Sequence, residues 1–164
     1  MLVVLVRHGI AEDHNPGGDA ARELTAQGRT EIREAARGLK RILGRCDVIG
    51  ASGLVRAHQT AALIAESFEN KPITTVESLA PEGDVAATIS WLFTQSLNST
   101  ICLAGHEPSI SALAGTILSG APRPFIEFGR GTACAVEFLD LPKAGKGMLR
   151  WFMTPAISRQ LGQS

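Results

Sequence analysis

Arg7-His8-Gly9 closes a short apolar run, and Gly105-His106-Glu107-Pro108 closes another. Between them, Ser52-Gly53-Leu54-Val55 leads into Arg56. Two guanidinium groups and two imidazoles thus stand at the same kind of position, where a buried segment runs out into a turn. A guanidinium offers a planar fork of donors that matches the oxygens of a phosphoryl group. Fixed cations also stabilise the charge that collects on the equatorial oxygens of such a group in transfer. Cations near an imidazole disfavour its protonation, which leaves a nitrogen of His8 free as a nucleophile. Gly9 places no bulk beside the incoming group, and a helix opening after His106 adds the positive end of its backbone amides. Taken singly, each part has an ordinary structural reading: a strand-end ion pair, a hydrogen-bonding histidine, a solvated helix arginine. Taken together, they support an anion site with a candidate nucleophile at His8.

The rest of the chain supplies elements able to bring these groups together. Leu2-Val3-Val4-Leu5-Val6 is a continuous β-branched run that fits a strand covered on both faces. Residues 10–24 are polar and contain Asn15-Pro16-Gly17-Gly18, the signature of a loop. Thr25 suits the N-cap of a helix whose inner face is Ile32, Ala36, Leu39 and Leu43, with Gly44 as its stop. Val48–Ala51 reads as a strand, followed by a helix facing inward through Ala57, Ala61, Ile64 and Phe68. Ile73–Val76 is a weaker strand, and Asp84 can cap a helix with Val85, Ile89, Leu92 and Phe93 on its inner face. Ile101–Ala104 is again a buried strand, and Pro108 suits the first turn of a helix burying Ile110, Leu113 and Ile117 and stopping at Gly120. A loop over 121–131 precedes two closing strands, Thr132–Leu139 and Leu149–Met153. The alternation predicts one α/β domain over residues 1–164, a three-layer α/β/α sandwich with a mostly parallel sheet and no large cap insertion. In such folds ligands bind beyond the strand ends, where the arginines and histidines lie.

Composition narrows the function classes. The chain has 164 residues, 45% of them apolar, and 16 basic residues balance 16 acidic ones. That balance provides no global field for nucleic acid or an anionic membrane, so an anion site must be local. Cys46, Cys102 and Cys134 lie in or beside apolar stretches without metal-type spacing, as buried reduced thiols do. The four histidines match no zinc pattern, and two arginines would repel a cation, so neither metal nor cofactor is expected. The N-terminal apolar run is too short for a signal segment or a membrane span, which points to the cytoplasm. Nothing calls for a dimer, and a monomer is expected.

The motifs also carry a resemblance. Leu5-Val6-Arg7-His8-Gly9 resembles the Arg-His-Gly signature of the histidine phosphatase superfamily, which includes the phosphoglycerate mutases. Ser52-Gly53-Leu54-Val55-Arg56-Ala57-His58-Gln59-Thr60-Ala61 resembles its second signature, and Gly105-His106 falls where its second histidine is found. Arg22-Glu23-Leu24-Thr25-Ala26-Gln27-Gly28, Leu79-Ala80-Pro81-Glu82-Gly83-Asp84 and Trp151-Phe152-Met153-Thr154-Pro155 look like segments of the SixA-type phosphohistidine phosphatases. The resemblance implies a metal-independent phosphohydrolase in which His8 is the nucleophile, while Arg7, Arg56 and His106 hold the phosphoryl oxygens. It implies phosphohistidine on a protein as the substrate. A small phosphorylated metabolite, or mere phosphate binding on the same scaffold, are the alternatives. Two departures stand out. Gly53 replaces a proline, and Pro81 stands where mutase-like relatives supply a glutamate acid. Glu82 and Asp84 are the nearby candidates for a proton donor, and Arg22 for the pocket rim. A site without a strong acid favours a leaving group such as imidazole, which departs more readily than an alkoxide.

Overall fold

The computed structural model describes residues 1–123 and 126–163. Six strands form one sheet: β1 (Leu2–Arg7), β2 (Val48–Ala51), β3 (Ile73–Thr75), β4 (Thr100–Gly105), β5 (Ala133–Glu137) and β6 (Met148–Met153). Their order is β3-β2-β4-β1-β5-β6, with β3, β2, β4 and β1 mutually parallel and β5 antiparallel to both neighbours. Five helices accompany them: α1 (Ala26–Leu43), α2 (Val55–Ser67), α3 (Val85–Phe93), α4 (Ser109–Ser119) and α5 (Pro155–Gln163). The α/β fold and its mostly parallel sheet match the pattern expected from the sequence. Among the described residues, 8–25 is the longest segment between named strands and α-helices.

The strands alternate between two separate cores, as a sheet covered on both faces must. Val3, Leu5, Ile101 and Leu103 pack with Leu92, Ile110, Leu113 and Ile117 on one face. Val4, Val6, Cys102 and Ala104 pack with Ala36, Leu39, Ala61 and Ile64 on the other. Local signals fix the helix ends: Thr25 accepts from the Gly28 amide at the start of α1, and Gly44 closes it at φ 67°.

Several details depart from expectation. The strand expected over Thr132–Leu139 stops at Glu137, and Leu139 beyond it is exposed. Phe93 is 49% exposed, whereas Thr88 is buried and donates to Ser78 Oγ at 2.8 Å. A polar hydroxyl with an internal partner therefore occupies part of the face that apolar periodicity assigns to Phe93. The sequence reading also omits α5, a short and largely polar helix. It lies against α1 so closely that a Cβ on Gly38 would stand 2.0 Å from the Ser158 carbonyl oxygen. Within the loop expected over 121–131, positions 124 and 125 lie outside the described residues. No helix among the described residues is long and apolar enough to cross a membrane.

Candidate active site

Parallel register brings the chemistry to one edge of the sheet. Arg7 pairs with Gly105 across β1 and β4, and Ala51 pairs with Ala104 across β2 and β4. The next residue of each strand is therefore His8, His106 or Ser52. The His8 amide donates to the Gly105 carbonyl at 3.0 Å, and the Ser52 amide to the Ala104 carbonyl at 3.2 Å. The two imidazoles lie with ring centres 5.0 Å apart. Both are buried, at 7% exposure for His8 and 2% for His106.

Hydrogen bonding determines the tautomer of His8. Its Nδ1 lies 2.8 Å from the Gly9 carbonyl oxygen, which can only accept, so Nδ1 carries the proton. Arg56 Nε, which can only donate, points at His8 Nε2 from 3.3 Å. The ring therefore presents the lone pair of its unprotonated nitrogen, Nε2, toward the Arg56 guanidinium. Burial is the main cause that lowers the His8 pKa to about 4, and the charges of Arg56, Arg7 and Arg130 act in the same direction. The arginines thus contribute as the sequence suggests, but desolvation contributes more.

His106 is fixed by its other nitrogen. Its Nε2 lies 2.6 Å from Ser52 Oγ, while Oγ also accepts from the Leu54 amide at 3.4 Å. Burial first, then the neighbouring His8 and Arg56, push its pKa down to about 3. Where Ser52 donates to Nε2, the proton of the neutral ring sits on Nδ1. That atom is buried and has no hydrogen-bond partner among the described residues.

Arg56, at the start of α2, is buried and held from outside. Its Nη1 donates to the Asp19 carbonyl at 2.7 Å and its Nη2 to Asp19 Oδ2 at 3.0 Å. Asp19 Oδ1 accepts from Arg22 Nη1 at 2.8 Å, and Arg22 with Arg56 keeps the Asp19 carboxyl below its usual range. Arg22 therefore reaches the rim through a carboxylate, not by direct contact with Arg56. Arg7 donates through Nη1 to the Phe128 carbonyl at 2.6 Å, and its buried Nε has no partner among the described residues. Phe128 is itself fixed, because its amide donates to Glu107 Oε1 at 3.1 Å.

The remaining sequence candidates are placed less centrally. The Gly9 amide donates to Thr60 Oγ1 at 3.2 Å, and a Cβ on Gly9 would stand 2.6 Å from Ile32 Cγ1. The close approach that requires glycine here is therefore to α1, a reason the sequence does not reveal. Asp84 Oδ1 accepts from the Ala86 amide at 2.8 Å, the cap of α3. Glu82 is exposed and makes no hydrogen bond or ion pair among the described residues. The Pro81 carbonyl accepts from Ser109 Oγ. Sequence reasoning omits Ser52, Asp19, Thr60 and Phe128. Ser52 and Thr60 lie in the motif that contains Arg56, and Asp19 stands three residues before Arg22.

The sheet edge of this α/β protein thus carries two histidines and two arginines, groups whose chemistry suits the oxygens of an anion. The model of the histidine phosphatase superfamily (branch 1) matches residues 3–81. An uncharacterized protein of Picosynechococcus is 31% identical over 123 residues, which cover 73% of this chain and 74% of the relative. A structure of the protein histidine phosphatase SixA complexed with tungstate superposes with TM-score 0.85 at 26% identity, covering 96% of this chain and 99% of that one. A mycobacterial glucosyl-3-phosphoglycerate phosphatase shares the fold at TM-score 0.72 and 18% identity, covering 93% of this chain and 99% of that one. The chain belongs to the histidine phosphatase superfamily.

Proposed function

We propose that this protein is a phosphohydrolase that passes a phosphoryl group through His8, with phosphohistidine on a protein as its substrate. The observation that carries the reading is an unprotonated His8 Nε2, engaged by the Arg56 guanidinium, beside two buried nitrogens that lack partners among the described residues, Arg7 Nε and His106 Nδ1. Buried donors are otherwise almost always satisfied. The oxygens of a phosphoryl group seated against His8 supply the acceptors.

In the first half-reaction His8 Nε2 forms a bond to phosphorus as the bond from phosphorus to the substrate nitrogen breaks. The departing imidazole keeps that electron pair and takes a proton from water. Arg7, Arg56 and the Nδ1 proton of His106 hold the charge on the equatorial oxygens. In the second half-reaction water attacks phosphorus, the bond to His8 breaks, and inorganic phosphate leaves with the ring restored. No step requires a metal or cofactor. Pro81 at the acid position and the capping duty of Asp84 favour a leaving group that needs no strong acid. The short connections between most described elements suit a side chain presented on another protein. A monomeric, cytoplasmic enzyme is part of this reading.

The test is a comparison of rates on a phosphohistidine protein, a phosphoserine peptide and an aryl phosphate. The expected order places the phosphohistidine protein first by about 10²-fold or more over phosphoserine, the share a general acid commands. Equal rates on phosphohistidine and phosphoserine would remove the phosphohistidine assignment. Preference for a small phosphorylated metabolite would replace it.

A further inference from the structure

We propose that Arg130 reads the substrate beyond its phosphoryl group, pairing with a carboxylate carried by a residue that flanks the phosphorylated histidine. The inference rests on the phosphohydrolase reading and adds the charge class of its protein substrate.

Gly129-Arg130-Gly131 forms a hook over the end of β1. The Gly131 amide donates to the carbonyls of both Arg7 and His8 at 3.1 Å, and the Thr132 amide donates back to Gly129 at 2.9 Å. The Arg7 amide in turn donates to the Thr132 carbonyl at 3.1 Å. Gly131 takes φ 77°, a left-handed conformation that makes so tight a turn accessible. The backbone on both sides of residue 130 is therefore tied to the strand end that carries the nucleophile. The Arg130 side chain itself is exposed, and its charge acts on both the His8 ring and the Arg7 guanidinium.

The four arginines around the pocket differ in what they have left to give. Arg56 is held by the Asp19 carbonyl and carboxylate, Arg22 by the same carboxylate, and Arg7 by the Phe128 carbonyl. Arg130 alone among these has no hydrogen bond or ion pair among the described residues, although Glu127 is near in sequence. A cation fixed at its backbone, exposed at its tip and unneutralised at the mouth is suited to an anion arriving with the substrate. Because the tip is solvated, its contribution falls on encounter and KM and is screened by salt.

Two phosphohistidine peptides, identical except for glutamate or glutamine on either side of the phosphohistidine, test the proposal, with an aryl phosphate as common reference. At low ionic strength the wild type is expected to turn over the glutamate peptide with a kcat/KM several-fold above the glutamine peptide, the difference lying in KM. Arg130→Gln is expected to bring the ratio to about one, and Arg130→Glu to invert it. High salt is expected to erase the wild-type preference. A ratio unmoved by either variant overturns the proposal. So does an equal loss by Arg130→Gln on all three substrates, which would make Arg130 a ligand of the phosphoryl group itself. A wild type inactive on all three would instead refute the phosphohydrolase reading, and an active wild type with no charge preference would refute only the present one.

Discussion

The ends of β1 and β4 carry the same residue type in adjacent positions, yet each backbone setting exposes a different ring atom. At the end of β1, the Gly9 carbonyl accepts a hydrogen bond from His8 Nδ1, and the lone pair of Nε2 faces the Arg56 guanidinium. At the end of β4, Ser52 engages His106 Nε2, and Nδ1 has no partner among the described residues. Both rings are neutral at physiological pH, since burial holds their pKa values to about 4 and about 3. The difference between nucleophile and donor therefore comes from which nitrogen the fold occupies, and not from a difference in charge. In the proposed reaction one ring supplies an electron pair, and the other supplies a hydrogen to the oxygens that the transfer loads with charge.

The largest test of this asymmetry is to remove each ring in turn. His8→Ala is expected to lower kcat by at least about 10⁴-fold, because no second group can replace the nucleophile. His106→Ala is expected to cost about 10²–10³-fold, the scale of one lost donor to a developing oxyanion. Stopped-flow or steady-state rates with an aryl phosphate measure both. Losses of equal size, or a larger loss at His106, would break the assignment of roles.

Ser52→Ala sharpens the comparison at smaller scale. It removes the partner of His106 Nε2 without touching His8. A lost hydrogen bond of about 1 kcal/mol corresponds to roughly a fivefold fall in kcat, with KM little changed. The matching proton resonance of His106 should also move on nuclear magnetic resonance, while that of His8 stays in place. A variant indistinguishable from wild type in both measurements would mean that Ser52 does not set the ring.

The smallest effect concerns stability against pH. Both folded-state values lie below the ordinary histidine value of 6.5. The stability contributed by the neutral rings is fully present above pH 6.5 and is lost progressively as pH falls from 6.5 through about 4 for His8 and about 3 for His106. Each ring contributes a slope of up to about 1.4 kcal/mol per pH unit over that window. Urea unfolding at pH 7, 5.5 and 4.5 should show a decline that is shallower in the double variant His8→Asn/His106→Asn. Identical slopes would show that these rings are not held neutral by the fold.

Much of this was readable before the structure because strand ends and motifs mark themselves. The apolar runs before Arg7 and His106 end abruptly, and the four-three-four spacing after Arg56 sets a helix behind it. Parallel register then does the rest, since Arg7 opposite Gly105 necessarily sets His8 beside His106. What stayed hidden depends on contacts between segments distant in the chain. Asp19 acts on Arg56 across 37 positions, and Phe128 on Arg7 across 121. Gly9 looks like room for a ligand in sequence, but the atom that needs the room belongs to Ile32. Helix α5 is hard to read from sequence because it is short and meets α1 through small residues, Gly38 against the Ser158 carbonyl, and not through a large apolar face.

The most direct measurement is a rapid quench during turnover of a radiolabelled phosphoryl donor, followed by peptide mapping. The account predicts acid-labile, alkali-stable label on the peptide containing His8, attached at Nε2, and its absence in His8→Ala. Label on His106, label on Nδ1 of His8, or turnover with no labelled histidine at any quench time would contradict it.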